Sequence, residues 1–387
     1  MTEAPVLSPI ETDTAKSLLA GALGTRVTIR AAEMIWRRSH IVRLHLGDGS
    51  SVVLKRRRLD NPGGRGRGFG AELAALEFLN GMDTAVAPRL LGADAQAEIL
   101  IMEDLGPSSS LAHSLLAQDR ERAEADLIAY ARALGTMHSW SIGRSAELAE
   151  VRARHALPAV QAPDWLDAIV RGKEKFLAMT AQLGVPSGDA DDEIDSLEVL
   201  LSGAGHTGLV HSDPCPDNTH IADGNCRIFD FETSGWGPLA LDAAYLLAPF
   251  PSCWCFASLP ADVAGPALLA YRDQVTSAGI DLGHEWDAAM TAALAGCVVA
   301  RADAIGRALA EDRDWGTTTA RPRLLTWLRS FTGAAERSGA LPRLRVVAMA
   351  VQEQLSLRWP DSVIPDYPAL ARPGAPLAKL PRGWESS

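Results

Sequence analysis

Several things are scarce in this 387-residue chain, and each scarcity excludes something. No apolar run reaches membrane-spanning length without interruption, so no transmembrane helix is expected. The opening Met1-Thr-Glu-Ala-Pro5 has neither the basic start nor the apolar segment of a signal peptide. A soluble, cytoplasmic protein with no membrane partner is the expectation. Five cysteines are few and odd in number, which argues against a disulfide framework. His211, Cys215, His220 and Cys226 lie close in sequence, and Cys253-Trp-Cys255 is a Cys-x-Cys. These spacings fit no common zinc pattern, so thiols in a reducing compartment are the plainer reading. No internal repeat or coiled-coil heptad is present.

What the chain does have is enough apolar material, 47%, for a sizeable core, and a length that suits two lobes. The net charge of −11 is unevenly spread. Eleven bases between Arg26 and Arg67 face three acids, giving +8 there and −19 elsewhere. A basic first lobe suits a nucleoside triphosphate. The acidic remainder argues against a nucleic-acid groove and favours a cationic or neutral small molecule.

Thr12 to Leu23 reads as an opening helix. Three strand-like runs follow at Arg26–Arg30, Ile41–Leu46 and Ser51–Lys55, the last two joined by the hairpin signal Gly47-Asp-Gly49. Asn61 to Gly68 is a glycine-rich loop. Leu73, Leu76, Phe78 and Leu79 mark one face of a helix from Gly70, and Ile99 to Met102 reads as a buried strand. Beyond Ser110 helical spacing dominates, with long helices expected at Glu121–Trp140, Asp191–Leu201, Glu285–Asp312, Arg321–Ser338 and Leu344–Leu357. The proline-rich tail from Pro360 should be extended.

The densest chemistry lies in Gly208-Leu-Val-His-Ser-Asp-Pro-Cys-Pro-Asp-Asn218 and Arg227-Ile-Phe-Asp-Phe-Glu232. An amide oxygen (Asn218) and a carboxylate (Asp230) suit Mg²⁺, and a second carboxylate, Asp213, suits a hydroxyl proton. The order His211, Asp213, Asn218, Asp230, Glu232 resembles the kinase catalytic loop. It is more similar to the aminoglycoside phosphotransferase and choline kinase superfamily, where the loop is usually His-Gly-Asp; here Ser212 stands at the middle position. The likeness runs from Arg26 to about Tyr245.

That resemblance implies an α+β, bilobal, protein-kinase-like fold with a small antiparallel-sheet N-lobe and a larger, mainly helical C-lobe. Residues 1–105 would form the nucleotide-binding lobe and 106–360 the helical lobe with the catalytic loop and acceptor site. Residues 361–387 would be the tail. It implies ATP and Mg²⁺ as cofactors and a small-molecule hydroxyl as acceptor. Lys55 would reach the phosphates, held by Glu72, with Glu77 as the competing partner. Ser39 stands where such enzymes carry a Ser or Asn in place of the missing Gly-x-Gly-x-x-Gly loop. Backbone around Glu103 and Leu105 would meet the adenine edge. Asp213 would be the catalytic base, and Asn218 and Asp230 the metal ligands. His211, Glu232 and Asp242 would support them, and His138 would pack behind the loop. Trp254 and Phe256 either wall the acceptor site or cap the core. An antibiotic, aminoglycoside or amino-sugar acceptor is expected first, then choline-like amines. A catalytically silent kinase-fold protein and a metal or nucleic-acid module are the rival classes.

Overall fold

The computed structural model describes residues 6–35, 40–56, 67–107, 109–159, 164–188, 190–203 and 205–380. In chain order these build α1 (Pro9–Leu23), β1 (Ile29–Met34), β2 (Ile41–Leu46), β3 (Ser51–Arg56), α2 (Arg67–Leu79), β4 (Leu90–Asp94), β5 (Ile99–Glu103), α3 (Leu111–Leu116), α4 (Arg120–Ser141) and α5 (Ser145–Arg154). Then come α6 (Asp164–Gln182), α7 (Ala190–Asp195), α8 (Leu197–Gly203), β6 (Thr207–Val210), β7 (Thr219–Ala222), β8 (Asn225–Ile228), β9 (Gly235–Pro238) and α9 (Ala240–Ala243). The chain closes with α10 (Ala261–Ser277), α11 (Glu285–Ala300), α12 (Ala302–Ala310), β10 (Asp314–Trp315), β11 (Thr318–Thr319), α13 (Ala320–Ser338) and α14 (Pro342–Arg358).

Two compact units result. The first holds residues 1–108, 144–160 and 227–234; the second holds 109–143, 161–226 and 235–387. The first is organised by a five-stranded antiparallel sheet, order β1-β2-β3-β5-β4. Strand side chains alternate between faces. Val42, Leu44, Leu46, Val52, Leu54, Ile99 and Ile101 therefore share one face, which buries Ala15 and Leu19 of α1. Lys55, next after Leu54, emerges on the other face. The α1 helix starts cleanly because Ser8 and Glu11 form a reciprocal capping box with Pro9 in its first turn.

The structure departs from the sequence expectations at four places. The first strand is Ile29–Met34, not Arg26–Arg30: Ile29 pairs with Leu46, the last residue of β2, and beyond it only the Gly47 N–H to Thr28 carbonyl bond continues the pairing. An edge strand, β4, is not evident in the sequence because Gly92 interrupts its pattern; the glycine lets Leu18 of α1 sit on it. The Asp191–Leu201 segment is two short helices that break at Ser196. The Glu285–Asp312 helix is also two, bent by 46° at Arg301.

In the second unit α11 is apolar all round because it is central, packing on α6, α8, α9 and α13. The α6 contact is close enough that a Cβ on Gly172 would run into the Val299 carbonyl. No single described helix is long and apolar enough to cross a membrane. After α14 the chain is largely extended but not loose. Tyr367 and Leu370 are fully buried, and the buried Asp366 takes Arg372 at 2.6 Å.

Candidate active site

In the first unit, the strand position of Lys55 and the first turns of α2 bring Lys55 Nζ within 2.6 Å of a Glu72 carboxylate oxygen. The same ammonium also pairs with Asp230. Glu77, a turn and a half further on, instead faces Arg154 at 2.7 Å and His155 at 2.5 Å. Burial drives the Glu72 carboxyl up to about 7, and the neighbouring Asp230 and Glu232 add to that against the pull of Lys55. For Lys55, burial is outweighed by Glu72 and Asp230, so the ammonium is held above its usual range. Asp230 follows β8 with a left-handed backbone, φ 68°, at the entry to the 3-10 turn Phe231–Thr233, which packs on α2.

The segment after β5 is tied down by a residue that sequence reasoning passed over. Asp104 takes both ends of the Arg43 guanidinium (2.6 and 3.1 Å), the Ser51 hydroxyl (2.6 Å) and the Gly106 N–H (3.0 Å). Its neighbour Glu103 donates its N–H to the Arg89 carbonyl, and its carboxylate meets Arg227 at 2.7 Å. Leu105 is half-buried. Ser39, Arg37, Arg38 and residues 61–66 of the glycine-rich loop lie outside the described residues.

In the second unit, β6 delivers His211, Ser212 and Asp213, and one buried carboxylate organises them. Asp242 is 0% exposed and accepts the His211 N–H (2.5 Å) and the Ser212 N–H (2.9 Å). His138 also meets Asp242, at 3.2 Å, and its other ring nitrogen meets the Tyr271 hydroxyl at 2.9 Å. Ser212 has φ 66°, the left-handed region where glycine is at ease, which explains why a glycine suits this position so well. Asn218 donates its side-chain N–H to the Asp213 carbonyl (3.0 Å), which leaves the amide oxygen as its acceptor end.

The Asp213 carboxylate has partners no motif announces. Ser252 donates to its Oδ1 (2.5 Å), Cys215 Sγ lies 3.2 Å away, and the Tyr245 hydroxyl sits 2.9 Å from Ser252 Oγ. Ser252 opens the Cys253-Trp-Cys255 run. Trp254 donates its indole N–H to Asp217 (2.6 Å), and Phe256 is fully buried, so of these two aromatics Phe256 belongs to the core. The thiols gather differently from their sequence spacing. Cys215 and Cys253 meet Asp217, and Cys253 Sγ is 2.7 Å from Cys255 Sγ. Burial holds the Cys255 thiol up at about 11, so it stays protonated.

A strand-borne lysine between two carboxylates and a His-x-Asp loop braced by a buried aspartate, on an antiparallel sheet and a helical unit, define a kinase-like phosphotransferase fold. Residues 37–274 match the profile of the phosphotransferase enzyme family (APH), and the chain belongs to that family. Its members include small-molecule kinases, and this chain is one of that enzyme class. Solved structures similar to it include an aminoglycoside phosphotransferase from Alicyclobacillus acidocaldarius (14% identity, 92% of this chain and 98% of that one, TM-score 0.45). A choline kinase from Cryptosporidium parvum is also similar (13%, 82% and 93%, TM-score 0.48). So is a putative aminoglycoside phosphotransferase from Ralstonia eutropha (16%, 89% and 98%, TM-score 0.48). A search of curated proteins returned no match.

Proposed function

We propose that this chain transfers the γ-phosphoryl group of Mg²⁺-bound ATP to a hydroxyl of a small molecule. The observation that carries this reading is Asp213: a carboxylate on a loop whose two preceding backbone N–H groups are pinned by Asp242. A base held this way is already oriented before substrate arrives, which is where positioned carboxylates gain their effect.

Each remaining residue has a role in the proposal. Lys55 orients the phosphates, and Glu72 keeps its ammonium on the strand face. Ser39 contributes to the phosphate end, and the backbone of Glu103 and Leu105 meets adenine. Because the Glu103 N–H is engaged with Arg89, the donor to the adenine edge is the Leu105 N–H. Asn218 and Asp230 offer oxygen atoms, the ligand type Mg²⁺ requires. Asp230 already draws a cation, the Lys55 ammonium, so the carboxylate fits that role. When bound, Mg²⁺ neutralises charge on the phosphate oxygens. Asp213 accepts the hydroxyl proton and aligns the nucleophile. His211, Glu232 and Asp242 hold these groups in place.

The first acceptors to test are antibiotics, aminoglycosides and amino sugars, followed by choline-like amines and amino-alcohols. The test is ATP consumption by purified protein with Mg²⁺ across such a panel. Asp213→Asn should lower turnover by ~10² to 10⁴ while calorimetric ATP affinity stays unchanged. Wild-type turnover in that variant would remove Asp213 from the mechanism, and a protein that does not bind Mg²⁺-ATP is not a kinase.

A further inference from the structure

The bend between α11 and α12 puts Arg301 on the wall of a cavity of about 60 Å³, shared with Ser212, Tyr245, Pro251 and Cys297. Ser212 directly precedes Asp213, and Tyr245 reaches the Asp213 carboxylate through Ser252. The cavity is thus built onto the loop that carries the proposed base.

Its wall is mostly apolar, from residues such as Leu241, Ala248, Ala293 and Leu294, with Arg301 and Ser212 among its few polar groups. Arg301 gives one N–H to Cys297 Sγ at 3.3 Å and makes no ion pair among the described residues. A guanidinium has five N–H groups, so most of its capacity is unspent. The Ser212 hydroxyl is buried without a partner. Behind Arg301 lies the Trp327 ring, 5.4 Å from its guanidinium carbon, and Arg323 approaches the same ring at 4.7 Å. Arg323 is 5% exposed, donates to the Pro251 carbonyl and likewise has no ion pair among the described residues. Its Nε and the Trp327 indole N–H are buried with no acceptor.

Two crowded guanidiniums with no carboxylate between them are costly, as are buried donors left unfilled. Burial, with the like charge of Arg301, pushes Arg323 down to about 9. Asp213 favours the Arg301 charge at longer range, but no nearby acid makes an ion pair with either guanidinium among the described residues. Asp242 lines the cavity, but its carboxylate is taken by the His211 and Ser212 N–H groups and by His138. Asp213 is held by Ser252 and Cys215.

We infer that the cavity receives an oxyanion carried by the acceptor, a carboxylate or phosphate-like group, with Arg301 as its charged partner and Ser212 as a hydroxyl donor. The volume agrees: on this measure a single water needs about 10–15 Å³, so the space has room for a small acid group. The phosphorylated molecule is then a hydroxy acid or an acidic sugar rather than a polyamine. The inference rests on the phosphotransferase reading for the identity of the acceptor, but the anion site itself is testable without turnover.

The first measurement is thermal unfolding of the full chain at constant ionic strength, with chloride replaced by acetate or by sulfate. Wild type should be stabilised by at least one of the two, and which one distinguishes a carboxylate from a phosphate-like group. Arg301→Gln should lose the effect, and Arg301→Lys should keep part of it. Ser212→Gly removes the hydroxyl and relieves a left-handed backbone, so it should fold at least as well while responding more weakly to the anion. Absence of any anion response in wild type, or an equal response in Arg301→Gln, overturns the inference. The second measurement is ATP consumption with gluconate, glucose and glucosamine. Gluconate should be preferred, with KM raised at least about tenfold in Arg301→Gln. Preference for glucosamine overturns the inference and leaves the kinase reading intact. Failure to bind Mg²⁺-ATP instead removes the kinase reading, and the anion response still decides the site.

Discussion

Ser212 holds φ 66° with an L side chain, and its own N–H and that of His211 end on one carboxylate. A left-handed residue costs roughly 1–2 kcal/mol, so the loop keeps this shape only because Asp242 over-determines it. Removing that carboxylate leaves two buried N–H donors and His138 without their acceptor. We expect Asp242→Ala to destabilise the protein by about 1–3 kcal/mol for each donor left buried and unpaired, and to lower turnover beyond what stability accounts for. Urea unfolding beside kcat at a temperature where the variant is folded checks both. A variant with wild-type kcat would mean that the loop needs no brace. The αL backbone was invisible in the sequence, because φ is not a property of residue type. A serine in a His-x-Asp loop looks like any other serine.

Among the elements, the segment after β5 is secured by a pair chosen across sixty-one residues, Arg43 with Asp104. The Arg43 fork, Ser51 and the Gly106 N–H hold the Asp104 carboxyl below its usual range, overcoming the burial that would raise it. The folded state therefore prefers the ionised form. Its contribution is present above the unfolded carboxyl value near 3.8 and is lost as pH falls through the lower folded value. Melting temperatures from pH 6 down to 2.5 should show Asp104→Asn starting below wild type and converging on it as the wild-type carboxyl protonates. A constant gap at all pH values would contradict the assignment.

Helix packing makes a second demand. Gly172 lies inside α6, where glycine costs roughly 1 kcal/mol relative to alanine, yet a Cβ there meets the Val299 backbone. Gly172→Ala should therefore destabilise by about 1–3 kcal/mol, against its helix propensity, with a lower denaturation midpoint as the readout. Gly306 in α12 meets nothing within 4 Å, and its alanine variant should be neutral or stabilising by the same measurement.

For the whole molecule, the proposed activity predicts linkage. A ligand that binds only the native state at a hundred times its Kd adds about 2.7 kcal/mol. Mg²⁺-ATP should raise the melting temperature by a few degrees. The rise should shrink when EDTA removes the metal and when Lys55→Met removes the ammonium that Glu72 and Asp230 share. An equal shift in Lys55→Met would place nucleotide binding elsewhere. The charge of −11 contrasts with a basic 26–67 segment, and the acidic majority by itself favours a cationic or neutral acceptor. Arg301, on the same cavity wall as Ser212, supports the anion inferred above instead. Net charge sets solubility and long-range steering, whereas the charge an acceptor meets is set by a few side chains at the wall.

The sequence by itself determined the family and the motif residues. Strand alternation, the His211-to-Asn218 spacing and the Asp230-Phe-Glu232 triplet are local patterns, and local patterns survive in one dimension. Element boundaries at Ile29, Ser196 and Arg301 were decided by where a partner strand ended or a neighbouring helix required a turn. Tertiary structure alone decided the company these residues keep. Ser252 meets Asp213 across thirty-nine positions, Asp104 meets Arg43 across sixty-one, and Arg301 lines the same cavity as Ser212. Such pairings depend on how buried surfaces close around polar groups, and sequence separation carries no record of that.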